Sequence, residues 1–337
     1  MFSRKRFSRF RSFGKLLRAW PAWVVAVGLS CGQPQAADLV LGPEAAKIIQ
    51  IADAHFHVMP WMDVRELIGY MDRNGIRWAG GASGLGLGKP EVGRAREAEA
   101  VSALGNRYIR FTGQGHWFSL HRILGPSALE NPDTPEFIQR LAAVEDGLRD
   151  ARARGIGELH VNGINSSKEP GGRFKIKGDA PTLKALLDLG GKYNRPLSIH
   201  AQWDSDTAQE IERLAGSNRN ARLILAHCGS FATPSEIRAL FERHPNVSCD
   251  LAFRGTPPLW GRNAGWAAFD GSEIRGGWKK LIEDYPDRFI VGVDNVYSWF
   301  EYEQVVSAIR FGLLANLSPA TAEKVAYKNA QDWFGLE

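Results

Sequence analysis

Asp53-Ala54-His55-Phe56-His57 follows the apolar run Ile48-Ile49-Gln50-Ile51-Ala52. The run reads as a buried strand of a parallel sheet. Alternate side chains of a strand share a face. His55 and His57 therefore point the same way, roughly 6.5–7 Å apart along the strand. Two imidazoles on one face at a strand end can hold one metal ion, or can simply be polar residues leaving the strand. The rest of the chain separates these readings.

Working outward, strand candidates recur at 48–54, 76–81, 107–112, 156–161, 197–201, 222–227, 247–252 and 289–294. Helical patterns lie between them, among them Val64 to Arg73, Glu91 to Leu104, Thr134 to Arg154, Pro181 to Tyr193 and Thr207 to Ala215. Pro234 to Arg243, Glu273 to Tyr285 and Tyr302 to Leu314 follow. Strand–helix alternation argues for parallel strands joined by crossover helices. Eight units in this length fit an α/β (β/α)8 TIM barrel; a doubly wound open sheet is the alternative. A last helix, Pro319 to Asp332, is expected to pack outside the barrel. Gly80 to Gly88 is glycine-rich but lacks G-x-G-x-x-G spacing, so it reads as a flexible loop at the barrel mouth and not as a dinucleotide site.

Barrel active sites lie where strands end. The first candidate strand ends in His55-Phe56-His57. The fourth is Gly157-Glu158-Leu159-His160-Val161-Asn162, the fifth ends in His200, the sixth in His227 and the eighth in Asp294. In this order the set resembles the amidohydrolase superfamily: D-x-H-x-H first, then His, His and Asp. The closing Asn329-Ala330-Gln331-Asp332-Trp333-Phe334 is similar to the ending of the amidohydrolase-related branch, which holds hydrolases and non-oxidative decarboxylases. The resemblance covers roughly residues 48–334.

That resemblance implies that His55, His57 and Asp294 ligate a first divalent metal. His200 would be a further ligand, on the same ion or a second one. His227 would ligate a second metal or hydrogen-bond the reacting water or substrate. Many binuclear relatives bridge their metals with a carboxylated lysine on the fourth strand; here Glu158 stands there, as a bridge or as a supporting acid. Imidazole and carboxylate donors suit Zn²⁺, with one or two ions. Asp294 can take a proton from a metal-activated water and pass it on, so Asp294 and His227 are the catalytic candidates.

Other residues are read from position. Asp53 should fix the strand end. His160 could touch the site but reads better as a satisfied polar residue of the barrel. His116 and His121 should be exposed in a loop. Trp61, Trp117, Trp203 and Trp299 each follow a strand and could form an aromatic wall, with Trp61 and Trp203 as substrate-binding candidates. Arg254 could bind a substrate carboxylate.

The 337 residues carry a formal charge of +5. Seven of the positive charges, Arg4, Lys5, Arg6, Arg9, Arg11, Lys15 and Arg18, lie in residues 1–37, which hold no acid. Removing them leaves a net −2, so bulk charge gives no support for a nucleic-acid surface. The apolar stretch Trp20 to Ser30 after this basic region reads as an export signal, cut near Ala37. It is too short to span a bilayer comfortably, and no stable span is expected after cleavage. The expected organisation is a signal peptide over 1–37 and a barrel over 38–337, periplasmic or secreted. Cleavage would leave Cys228 and Cys249, as small buried apolar residues or as one bridge.

The function expected is metal-dependent hydrolysis of an amide, ester, lactone or related bond of a small molecule. A decarboxylase on the same ligands and a non-catalytic metal-containing barrel are the alternatives.

Overall fold

Buried strands alternate with helices along the chain, and the crossovers return each barrel strand parallel to the last. The computed structural model describes residues 39–82, 90–149, 152–167, 170–256 and 266–337. The leader and most of the glycine-rich loop lie outside them. The unit described here runs from Asp38 to Glu337.

Strands β1 (Ile51–Phe56), β2 (Ile76–Gly81) and β3 (Tyr108–Ile109) form one parallel sheet. A second contains β4 (Phe111–Gly113), β5 (Gly155–Asn162), β6 (Leu197–Gln202), β7 (Leu223–Ser230), β8 (Val247–Asp250) and β11 (Phe289–Ile290). All of its ladders are parallel. β3 and β4 are one strand interrupted at Arg110, pairing with β2 on one side and β5 on the other. At the opposite seam, a parallel bridge joins Phe56 to Asp294, and Asp294 N donates to His55 O at 2.7 Å. The eight strands thus follow the order of a (β/α)8 barrel. Short β9 (Gly255–Thr256) and β10 (Phe269–Asp270) pair separately.

Local chemistry sets the helix starts. Asp63 caps α2 (Val64–Arg73) by accepting from Arg65 N at 2.8 Å, and Val64, Leu67 and Met71 form its buried stripe. α8 (Pro234–Arg243) opens with a Thr233–Glu236 capping box and Pro at N1. The other helices packed round the strands are α3 (Pro90–Leu104), α5 (Pro135–Arg149), α6 (Pro181–Lys192), α7 (Ser205–Ser217), α9 (Trp278–Asp284) and α10 (Trp299–Ser307).

Three expectations change. The first strand begins only at Ile51, because α1 (Pro43–Ile48) precedes it, with Pro43 at its first turn and a Lys47–Glu44 pair at 2.7 Å. A helix not foreseen, α4 (Gln114–Leu124), carries His116 and His121, so neither lies in a loop; His121 stacks on Phe174 at 4.1 Å. The third concerns the chain's end. α11 (Pro319–Glu323) leads through 324–328 into α12 (Asn329–Phe334). Ala330, Trp333 and Phe334 join a second apolar cluster with Ala52, Trp78, Ile109, Phe111, Ile224 and Ile290. Their neighbours Tyr108, Leu223, Leu225 and Phe289 belong to the larger cluster shared with the helices. The last helix therefore meets the strands' other face, near their starts, rather than packing only outside.

Candidate metal centre

Strand ends deliver the polar cluster at the opposite pole. His55 and His57 share a face, as period-two alternation requires, and both Nε2 atoms turn to the same two carboxylates. His57 Nε2 lies 3.5 Å from Glu158 Oε2 and 3.5 Å from Asp294 Oδ1. His55 Nε2 lies 3.7 Å from each of the same atoms. Gly292 permits this approach: a Cβ there would sit 2.6 Å from His55 Cβ. His227 Nε2 is 3.2 Å from Glu158 Oε1, and His200 Nδ1 is 2.9 Å from the same oxygen. His55, His57, Glu158, His160, His200, His227 and Asp294 are all buried.

Hydrogen bonds fix the tautomers. His227 Nδ1 faces the carbonyl of Ala252 at 3.0 Å and must donate to it, leaving Nε2 with a lone pair. His55 Nδ1 donates to Asp250 Oδ2 at 2.9 Å, and its Nε2 is buried without a hydrogen-bond partner. These lone pairs confront carboxylate oxygens, an arrangement that repels unless a cation or proton lies between. Bonds of ~2.0–2.1 Å meeting at a tetrahedral centre would set ligands about 3.3–3.5 Å apart. Asp294 Oδ1 lies 3.5 Å from His57 Nε2 and 3.7 Å from His55 Nε2, at and slightly beyond that size. Donors from His55, His57 and Asp294, from His55, Glu158 and His227, and from Glu158, His160 and His200 each converge within 4.8 Å. The residues therefore fit a divalent cation.

The electrostatics agree. Burial disfavours a charged His55, but Asp250, Glu158 and Asp294 outweigh it and push the imidazole up to about 10. Burial would raise Glu158, yet His55 and His200 hold it well below the usual carboxylate range. Asp294 is held down by His227, His55 and His57 against its burial. Burial, reinforced by His160, lowers His200 to about 4, so it is neutral. The cluster thus sets three buried carboxylates, Glu158, Asp250 and Asp294, against imidazoles, a charge balance that a divalent ion satisfies.

Three members were missed or undervalued in the sequence. Asp250 ends β8; its Oδ1 accepts from His227 N at 2.9 Å and from Ala252 N at 3.1 Å while Oδ2 holds His55. The same strand-end rule that found the others would have found it. His160 is no bystander: it stacks on His200 at 4.3 Å, and its Nε2 lies 3.8 Å from Glu158. Ser166 Oγ lies 2.7 Å from His200 Nε2, a contact no spacing foretells. Asp53 accepts from Val293 N at 2.8 Å, the supporting role expected of it.

Arg254 is a correction. It is fully buried, and its guanidinium donates to the carbonyls of His227 (2.6 Å), Gly229 (2.8 Å), Cys228 and Ala232 (both 3.1 Å) and Trp266. Buried and turned to these backbone carbonyls, it is not presented to a substrate carboxylate. The four tryptophans do not form one wall either. Trp61 donates to Val296 O at 2.9 Å and packs edge-on to Trp299 at 5.0 Å, which stacks on Tyr70. Trp117 is buried, donating to His160 O at 2.9 Å. Trp203 lies over Gly229, where a Cβ would come within 2.7 Å of the indole. The aromatic side chain beside His227 is instead Phe253, at 5.9 Å and stacked on Trp266. Cys228 and Cys249 are joined as a disulfide, with Cα atoms 4.7 Å apart.

Comparison with known proteins agrees with this architecture. No curated protein matches the sequence. An uncharacterised TIM-barrel protein from Bordetella bronchiseptica is similar in structure, with a TM-score of 0.55 at 13% identity, over 86% of this chain and 99% of that one. A 2,6-dihydroxybenzoate decarboxylase in complex with 2,6-dihydroxybenzoate matches with a TM-score of 0.54 at 14% identity, over 86% and 99%. At such identities the likeness is one of fold. A sequence model of the amidohydrolase family matches residues 52–336, nearly the whole barrel, and the chain belongs to that family.

Proposed function

We propose that this chain is an exported, metal-dependent hydrolase that cleaves an amide, ester, lactone or related bond of a small molecule. One observation carries the reading: the Nε2 atoms of His55, His57 and His227 converge on the oxygens of Glu158 and Asp294 at 3.2–3.7 Å. His55, His57 and Asp294 would hold one ion. Glu158, with His227 and His200 on its Oε1, would reach a second. Zn²⁺ is the ion that this nitrogen–oxygen donor set favours.

When bound, a divalent cation supplies Lewis acidity, polarising a carbonyl and acidifying water. The chain's own groups do the rest. Asp294, kept ionised by three imidazoles, accepts the proton of the attacking water and returns it to the leaving group. His227, oriented by Ala252 O and Asp250, faces the reacting oxygen. Burial of the cluster lowers the local dielectric and strengthens each of these interactions.

A decarboxylase on the same ligands is the weaker reading, since Arg254, the residue it drew on for a substrate carboxylate, is spent on backbone carbonyls. Export rests on the basic–apolar leader, and a disulfide is what an oxidising compartment allows. No helix among the described residues is long and apolar enough to cross a membrane. Nucleic acid is not proposed as a partner, because the chain without its leader is slightly acidic.

The test is metal analysis of the purified protein with a panel of esters, lactones and amides. Wild type should bind divalent metal and hydrolyse members of the panel, and His55→Ala/His57→Ala should lose both. Hydrolysis surviving in that double variant would remove the hydrolase reading. Release of CO2 from aromatic acids without hydrolysis would replace it by the lyase.

A further inference from the structure

The end of β7 is not held as an ordinary strand. Its ladder to β8 stops at Leu225–Cys249, two residues before His227. Beyond that point His227, Cys228 and Phe231 take left-handed φ values of 55°, 53° and 74°. L-residues persist there only where the surroundings over-determine them. Two features do so. Arg254 sits inside the turn and gathers the carbonyls of His227, Cys228, Gly229 and Ala232. The Cys228–Cys249 disulfide ties the turn to β8 where the backbone ladder has ended.

The placement is specific to the site. Cys228 directly follows His227, and Cys249 directly precedes Asp250. Asp250 accepts from His227 N and holds His55 Nδ1, both at 2.9 Å. The bridge therefore fixes, one residue away on each strand, the two groups that set His227 against His55. Both cysteines are fully buried.

We propose that the Cys228–Cys249 disulfide and Arg254 are positioning elements of the metal centre, fixing His227 and Asp250 so that their partners meet a cation in register. The proposal rests on the metal-centre reading above. A bridge that only stapled the fold would alter thermal stability and leave metal affinity alone. A positioning bridge alters affinity and coordination geometry, because supports of metal ligands typically affect affinity ~10–100-fold.

Cobalt(II) supplies the readout. Apo wild type with its disulfide intact, Cys228→Ala/Cys249→Ala, wild type refolded with a phosphine reductant, and Arg254→Lys are titrated with cobalt, following visible absorption and circular dichroism. The folded, unbridged forms should bind at least ten-fold more weakly with a changed visible spectrum, and Arg254→Lys should weaken binding while keeping the bridge. Unchanged affinity and spectrum in any folded unbridged form overturns the proposal, as do two free thiols in folded wild type purified under oxidising conditions. If neither unbridged form folds, Arg254→Lys decides, and cobalt binding there equal to wild type overturns it. Oxidised wild type that takes up no cobalt overturns the metal-centre reading itself.

Discussion

Asp250 Oδ2 lies 2.9 Å from His55 Nδ1, between strands 195 residues apart in sequence. That one bond turns the imidazole's other nitrogen, Nε2, toward Glu158 and Asp294. It also leaves Asp250 Oδ1 free to hold the backbone of His227. A carboxylate behind a ligating histidine fixes its tautomer and raises its basicity.

Asp250→Asn tests this link. The amide keeps the shape but offers an uncharged acceptor. Metal affinity should fall by ~10–100-fold while the folded content stays at wild-type level. Metal titration with circular dichroism as the folding control checks it. Affinity at wild-type level would refute the orienting role.

Glu158 touches the imidazoles of His55, His57, His160, His200 and His227. Glu158→Gln removes its charge at nearly constant volume. The expected result is loss of bound metal, at least one ion per chain where wild type holds two, measured by elemental analysis. Full metal content in the variant would make Glu158 a bystander.

Chelation should destabilise the protein. A ligand that binds only the folded state stabilises it by ~2.7 kcal/mol at one hundred times its dissociation constant. Stripping the ion also leaves three carboxylates in one buried cluster. The melting temperature should therefore drop by several degrees with chelator and recover on adding Zn²⁺. Identical melting curves with and without chelator would argue against a resident cation.

Arg254→Met separates a structural role from substrate binding. It removes five hydrogen-bonded contacts and takes a donor from the buried carbonyls of His227, Cys228 and Ala232, while Gly229 O keeps its bond from Ala232 N at 2.8 Å. Unpaired buried polar groups cost ~1–3 kcal/mol each, and partial relaxation reduces the sum. Loss of ~3 kcal/mol or more in denaturant unfolding is expected. Wild-type stability with a raised KM would restore the substrate role.

Strand ends were readable because the signal is local. An apolar run followed by His or Asp needs no knowledge of neighbours; four such ends carried His55, His57, His200, His227 and Asp294, and Glu158 stood within a fifth strand. Asp250 obeyed the same rule but stood in a strand whose end had drawn no notice. Arg254 and the tryptophans show the opposite case. A long polar or aromatic side chain after a strand can turn outward to substrate or inward to backbone, and its sequence position is the same for both.

The residue pattern by itself determined the alternation of strands and helices, the barrel order and the identity of most side chains in the buried polar cluster, because hydrophobic periodicity and strand-end chemistry act within a few residues. Only the folded chain decided that Arg254 faces carbonyls, that Cys228 and Cys249 are bonded, and that Asp250 and Ser166 stand behind His55 and His200. Those facts depend on which distant backbone carbonyl, thiol or ring nitrogen arrives within hydrogen-bonding or bonding distance, and chain closure over tens to hundreds of residues sets that.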